Sequence, residues 1–199
     1  PKNQQLKLNL NRRIDRPSIG NLNPFVKYYD SLHVRMGNPD LEPSYENKIE
    51  LSYNTTIKNN YISPEIYASY RTNGFQEVKY IREDGLVEYF MDNVGEAWEY
   101  GTSLSFSWQF TEWLRLNGYG RLFNQIYFSD HEFTLSERKQ AVNFEANATT
   151  VVKLPKEFAL IGMMQRRGNN ITYSGENRRD LLVIIGMEKD LFKKVKIFS

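Results

Sequence analysis

Few of the residue combinations that carry chemistry occur in this 199-residue chain. Ser129, Asp130, His131 and Glu132 gather a hydroxyl, two acids and an imidazole, the parts of a hydrolytic triad or a metal site. They are consecutive, however, and His33 is the only other histidine. A triad or a zinc site needs side chains converging from separate segments, so this run reads as a polar loop. Cysteine is absent, which removes disulfides, thiolate zinc sites and cysteine nucleophiles. No metal, no cofactor and no enzymatic bond chemistry are expected.

The charged residues offer binding at most. Arg12, Arg13, Asp15 and Arg16 form a cluster that reads as a solvated rim with local Arg–Asp pairing, or as a contact for an anionic ligand. Gln165, Arg166, Arg167, Arg178, Arg179 and Asp180 flank a second connection, where basic side chains could meet an anionic surface. Net charge is only +2 and no Lys/Arg run is dense enough for a phosphate-tracking stripe, so no nucleic-acid partner is expected. Three Asn-x-Thr matches, at Asn54, Asn147 and Asn170, read as chance among many Asn and Thr. The candidate contacts for a small ligand are Tyr28, Tyr29, His33 and Arg35, in the longest connection, because surface loops often carry recognition.

The elements that must position these residues are strands. Trp98, Tyr100, Thr102, Leu104, Phe106, Trp108 and Phe110 alternate with Glu99, Gly101, Ser103, Ser105, Ser107 and Gln109. The same period of two recurs at Leu6–Leu10, Ile49–Ile57, Ile62–Tyr70, Leu114–Leu122 and Val142–Leu154. Residues 158–168, 180–190 and 195–197 complete the set. No segment carries a helical stripe. The fold class is therefore all-β, an antiparallel up-and-down meander of about nine long strands.

Short and long connections alternate. Asn59-Asn60, Thr111–Trp113, Pro155–Glu157 and Phe192–Lys194 are short; residues 15–45, 81–95, 129–139 and 169–179 are long. In a meander, alternate turns share an end, so all the short turns fall at one end and all the long loops at the other. Outer-membrane barrels have this asymmetry. The thirteen residues 98–110 extend roughly 43 Å at ~3.3 Å per residue, far beyond a soluble strand. Tilted by about 40°, they rise roughly 33 Å, enough for the hydrocarbon core. Aromatic residues at both ends fit interfacial girdles. On this reading Trp98, Tyr100, Leu104, Phe106, Trp108 and Phe110 face lipid. Lys48, Glu50, Ser52, Asn54, Glu99, Gln109, Arg115, Asn117, Asn143, Glu145 and Asn147 face a wet interior. A soluble β-rich binding domain explains the alternation equally well but not the strand length or the loop asymmetry.

One block adds a resemblance. Residues 11–53 contain Arg13–Pro17 (R-x-x-R-P), Leu22–Phe25 (L-N-P-F), Gly37–Pro43 (G-N-P-D-L-E-P) and Glu50–Tyr53 (E-L-S-Y). This resembles the signature block of TonB-dependent receptor-like outer-membrane proteins, of the outer membrane protein beta-barrel family. One departure is that Ser44 and Tyr45 stand where an acidic residue usually follows the second proline. The hairpins at 93–120, 154–160 and 186–197 are similar as well.

The resemblance implies a barrel of about twenty-two strands, of which residues 1–199 would form a partial barrel domain. It implies a plug domain, not recognisable in this chain, and coupling to TonB through the missing N-terminal part. Pro1 reads as a cut end, and further strands are expected on both sides. The implied function is uptake of a scarce nutrient such as a metal chelate, a carbohydrate or a peptide. A structural or adhesive barrel without coupled transport is the alternative. Expected partners are outer-membrane lipid, plug, TonB and an unknown small ligand.

Overall fold

The computed structural model describes residues 3–129, 138–168, 170–171, 176–177, 181–192 and 195–198. Its main sheet runs in chain order through β1 (Gln4–Asp15), β4 (Ser44–Ile57), β5 (Asn60–Ile81), β6 (Val87–Gln109), β7 (Leu114–Phe128), β8 (Arg138–Leu154), β9 (Phe158–Arg166), β12 (Leu181–Phe192) and β13 (Val195–Phe198). Each neighbouring pair in this series is antiparallel. The connection between β1 and β4 carries a short helix α1 (Ile19–Leu22) and two short strands, β2 (Lys27–Tyr28) and β3 (His33–Arg35). Between β9 and β12, β10 (Asn170–Ile171) pairs with β11 (Glu176–Asn177). No helix among the described residues is long and apolar enough to cross a membrane, which says nothing of strands.

The register carries the sequence alternation across the sheet. One row reads Leu8, Leu51, Ile66, Thr102, Leu122, Phe144; the next reads Leu10, Ile49, Ala68, Tyr100, Asn124, Val142. The intervening rows on the opposite face hold Lys7, Ser52, Glu65, Ser103, Arg121, Glu145 and Asn9, Glu50, Tyr67, Gly101, Phe123, Asn143.

Burial is inverted relative to a soluble sheet. The apolar face is open, with Leu10 71% exposed and Val142 67%. The polar face is the packed one: Ser52, Tyr67, Ser69, Ser103 and Asn143 are all buried. A sandwich or a soluble barrel would cover the apolar rows with a second layer. Here no described element lies over them.

Pro64 has no N–H to give the β4–β5 ladder, and pairing lapses between Ser52↔Glu65 and Thr55↔Ile62. Asn54 fills the gap with its side chain, accepting from Tyr61 Oη at 2.9 Å and Ser63 Oγ at 2.6 Å. The short turns after β4, β6 and β8 fall where expected, while Lys193 and Lys194 of the fourth lie outside the described residues. Thr111 Oγ1 accepts from the Leu114 N–H at 3.1 Å in one, and Pro155–Glu157 forms a 3-10 turn in another.

Two expectations need correction. Residues 81–95 are not a long loop: β5 and β6 continue pairing through Phe75↔Asn93 up to Ile81↔Val87. The register shifts at Gly74, where Gly95 adopts φ +141, a conformation that an L side chain rarely takes. This bulge lets the hairpin run on beyond the apolar rows. Beside the antiparallel meander, the short β3 of the long connection adds to β6 in parallel, His33↔Val87 to Arg35↔Tyr89. Finally, β6 ends at Gln109, and Phe110 lies exposed in the turn, beyond the end of the strand in which it was counted.

Candidate functional site

The long β1–β4 connection folds down onto the β5–β6 extension, and the signature motifs are the parts that hold it there. Ser18 caps α1 by accepting from the Asn21 N–H. The chain then turns at Asn23, whose Oδ1 accepts from the Phe25 N–H at 3.1 Å. Gly37 docks against this turn: its N–H donates to Asn23 O at 2.9 Å and the Asn38 N–H to Asn21 O at 2.7 Å. A Cβ on Gly37 would sit 2.6 Å from Asn23 N and 2.8 Å from Asn21 O, so the L-N-P-F and G-N-P motifs fit back to back only with glycine here.

The rest of the second motif clamps the extended hairpin. Asn38 Nδ2 donates to Asp92 Oδ1 at 3.1 Å. Asn93 Oδ1 accepts from the Glu42 N–H at 2.8 Å, while its Nδ2 donates to Glu42 O at 3.1 Å and Asn73 O at 3.0 Å. Ser44, the residue that departs from the family pattern, is buried and donates to Thr72 O at 3.0 Å. Val34 and Leu41 of the lobe are buried, and in the hairpin Val78 and Val94 are buried and pack with Phe90, Ala97 and Tyr127.

The four candidate ligand contacts come together in the β2–β3 hairpin. Asp30 closes its tip, accepting from the Leu32 and His33 N–H groups at 2.8 and 2.9 Å. Those backbone donors, the Leu32 N–H foremost, and the His33 side chain hold the Asp30 carboxyl below its ordinary value. His33 Nδ1 lies 2.9 Å from Asp30 Oδ2, and its ring stacks on Tyr89 with centroids 6.1 Å apart. A side-chain hydrogen bond with Tyr29 raises the Arg35 pKa, with a smaller contribution from Glu77, whose Oε2 is 3.6 Å away. His33, Arg35 and Tyr29 are thus engaged within the lobe, and Tyr28 stands out at 72% exposed.

A second constellation lies on the polar face. Glu99 Oε1 accepts from Tyr67 Oη at 3.0 Å and Arg121 Nη1 at 3.2 Å, and Glu99 Oε2 accepts from Gln125 Nε2 at 2.8 Å. Arg121 Nη2 reaches Glu145 Oε2 at 3.3 Å, and its guanidinium lies 3.9 Å above the Phe123 ring. Lys48 pairs with Glu50 and lies 4.9 Å over the Tyr67 ring. Asn143 Nδ2 donates to Gln125 Oε1 at 3.0 Å, which extends the chain of contacts to β8. The Glu99–Tyr67, Glu99–Arg121, Glu99–Gln125, Arg121–Glu145 and Asn143–Gln125 links each join neighbouring strands, so the network both ties the sheet and presents half-buried charge on one surface.

Most of the expected wet-face residues fit this picture. Lys48, Glu50, Glu99, Asn143 and Glu145 meet in the network, and Arg115 donates to Gln109 further toward the short turns. Tyr67, Arg121 and Gln125 were missed, although their parity along β5 and β7 would have placed them there. Asn73 and Asn93 gave no signal, since their partners are 20 to 51 residues away. Trp98, Tyr100 and Leu104 are exposed on the apolar face; Phe106 and Trp108 are half-buried there, the Phe106 ring lying over Gly118. Ser129 Oγ bonds Val94 O, while Asp130, His131, Glu132, Arg178, Arg179 and Asp180 lie outside the described residues. No Arg–Asp pair forms in the 12–16 cluster; Arg12 lies 5.1 Å over the Tyr45 ring instead. Among the described residues no three His, Asp or Glu side chains converge to hold a metal ion.

An inverted sheet with one turn-rich end and a capped, extended hairpin at the other defines a transmembrane β-barrel architecture. The chain belongs to the outer membrane protein beta-barrel family, whose model matches residues 1–197, and its place is the bacterial outer membrane. No protein of curated function matches it in sequence. Among solved structures it is similar to the siderophore receptor PirA from Acinetobacter baumannii, with a TM-score of 0.64 at 9% identity, covering 98% of this chain and 34% of that one. It is similar to the copper transporter OprC, with a TM-score of 0.63 at 10% identity, covering 97% of this chain and 30% of that one. It is also similar to the ferric enterobactin receptor PfeA from Pseudomonas aeruginosa, with a TM-score of 0.59 at 13% identity, covering 98% and 32%. At these identities the likeness is one of fold. The chain spans about a third of the length of these structures.

Proposed function

We propose that this chain is barrel wall from an outer-membrane receptor that takes up a scarce small ligand, a metal chelate foremost, by plug displacement coupled to TonB. The observation that carries the reading is the inverted sheet beneath a built lobe. The open apolar rows suit lipid, and the packed Glu99–Arg121–Glu145 surface suits a lumen filled by another domain. The β2–β3 hairpin presents Tyr28 at the end where ligand would arrive. The fold likeness to siderophore and copper receptors supports the metal chelate over a carbohydrate or peptide. Plug and coupling segment belong to the parent protein. No bond chemistry is required.

Two measurements test this. Phe106→Arg should cost about 2–4 kcal/mol near mid-depth and lower the yield of heat-modifiable, inserted barrel. Cells expressing the full-length protein should accumulate ferric or cupric chelate only when TonB is present. Uptake that is indifferent to TonB would remove the transport reading and leave a structural or adhesive barrel. Normal insertion of Phe106→Arg would remove the assignment of the lipid face.

A further inference from the structure

The apolar face is not uniform. A depression of about 520 Å³ opens on it near the loop end, lined by Leu10, Ile49, Ala68, Tyr70 and Trp98, with Arg12 on its rim. Ala68, which lines it, is the smallest side chain in a row with Leu10, Ile49, Tyr100, Asn124 and Val142. One wall is fixed. Tyr70 and Trp98 stack with ring centroids 4.5 Å apart, and Tyr70 Oη donates to Glu96 Oε2 at 2.6 Å.

The rim is polarised. Arg12 lies over the Tyr45 ring, and among the described residues no carboxylate pairs with it. The negative charge of Glu96 lies at the opposite wall, so an anionic group on this surface is favoured only at the Arg12 end. A guanidinium suits phosphate, which it can grip with two parallel N–H donors. The notch is continuous with the apolar rows and lies at their loop end, the level of the outer leaflet.

We propose that this notch binds one acylated, phosphorylated lipid of the outer leaflet. An acyl chain lies over Ala68 against the Tyr70–Trp98 wall, and a headgroup phosphate meets Arg12. The proposal rests on the reading that this face meets lipid. Arg12, singled out in the sequence as a rim charge, becomes the headgroup contact, and Ala68 sets the depth of the acyl groove.

The test uses the intact parent protein, purified from outer membranes in detergent, with native mass spectrometry as readout. The probes are bisphosphorylated lipid A, its dephosphorylated form and inorganic phosphate. Wild type should prefer lipid A over the dephosphorylated form by about tenfold, the size of one charge-assisted contact. Arg12→Gln should lose that preference. Ala68→Phe, which fills the notch at a surface position, should weaken both lipids by about tenfold. Heat-modifiable migration checks that both variants fold. Unchanged lipid binding in both variants, or displacement of lipid A by inorganic phosphate alone, would overturn the site. Quenching of Trp98 and Trp108 fluorescence by brominated lipid separates the two levels. If quenching persists while the variants behave as wild type, the notch proposal falls alone. If quenching is absent, the lipid face falls with it.

Discussion

Gly37→Ala should release the signature block from the hairpin it clamps while leaving the sheet intact. The added methyl would meet the Asn23 carbonyl oxygen, Asn23 N at 2.6 Å and Asn21 O at 2.8 Å. These are backbone atoms of the α1 turn, so no side chain can rotate out of the way. Overpacking of this kind costs about 1–3 kcal/mol. Separating the segments also gives up Gly37 N–H to Asn23 O and Asn38 N–H to Asn21 O, each worth about 0.5–1.5 kcal/mol. The contributions share one segment and do not add independently, which leaves about 2–5 kcal/mol of local destabilisation. Amide exchange in 19–43 should therefore quicken by roughly 30-fold to a few thousand-fold, since about 1.4 kcal/mol is tenfold. Hydrogen-exchange mass spectrometry of the refolded protein reads this directly, with peptides from β7 and β8 as the control. Unchanged protection over 19–43 would refute the close-approach reasoning. Equal loss in β7 and β8 would show that the block supports the whole wall and not just the lobe.

Asn93→Ala removes the three bonds that join Glu42 and Asn73 across the hairpin, and should cost about 1–3 kcal/mol locally, seen as faster exchange at the Glu42 amide. Asn93→Asp, which keeps only the acceptor, should fall between alanine and wild type. Arg121→Met leaves the Glu99 and Glu145 carboxylates facing each other without their shared cation, and should lower the denaturant midpoint of the folded barrel by an amount equivalent to about 1–3 kcal/mol. Adding Glu99→Gln should restore part of that; strictly additive effects would mean that the network carries no coupling. The Leu32 N–H and the other donors at the tip hold the Asp30 carboxyl below the ordinary aspartate value, so its contribution to the hairpin tip is present above that ordinary value and is lost as pH falls through the lowered folded-state pKa. Exchange at Leu32 and His33 should accelerate only in that acid window, and Asp30→Ala should abolish the pH dependence.

How much was legible follows from how local each signal is. The period of two along Trp98–Gln109 and Val142–Leu154 is written residue by residue, so strand existence, face and the position of the short turns could be read from the sequence alone. Parity likewise assigns Arg121 and Tyr67 to the wet face before any partner is known. The inversion of burial could not be read that way, because the alternation of a sheet in lipid and of one in water is the same pattern. Only the open surface of Leu10 and Val142 beside the buried Ser69 and Tyr67 separates them. The extension of β5 and β6 through 81–95 was hidden because Asp92-Asn93 and Gly95 carry turn-like residue types. Their conformations are decided by a bulge and by Asn93 reaching Glu42, 51 residues away. Sequence determined the strands, their faces and the family block, since these depend on neighbours two residues apart. The tertiary structure alone decided that the block is a clamp, that Glu99 and Arg121 share a network and that Ala68 leaves a notch beside Arg12, since each depends on residues that meet only across strands.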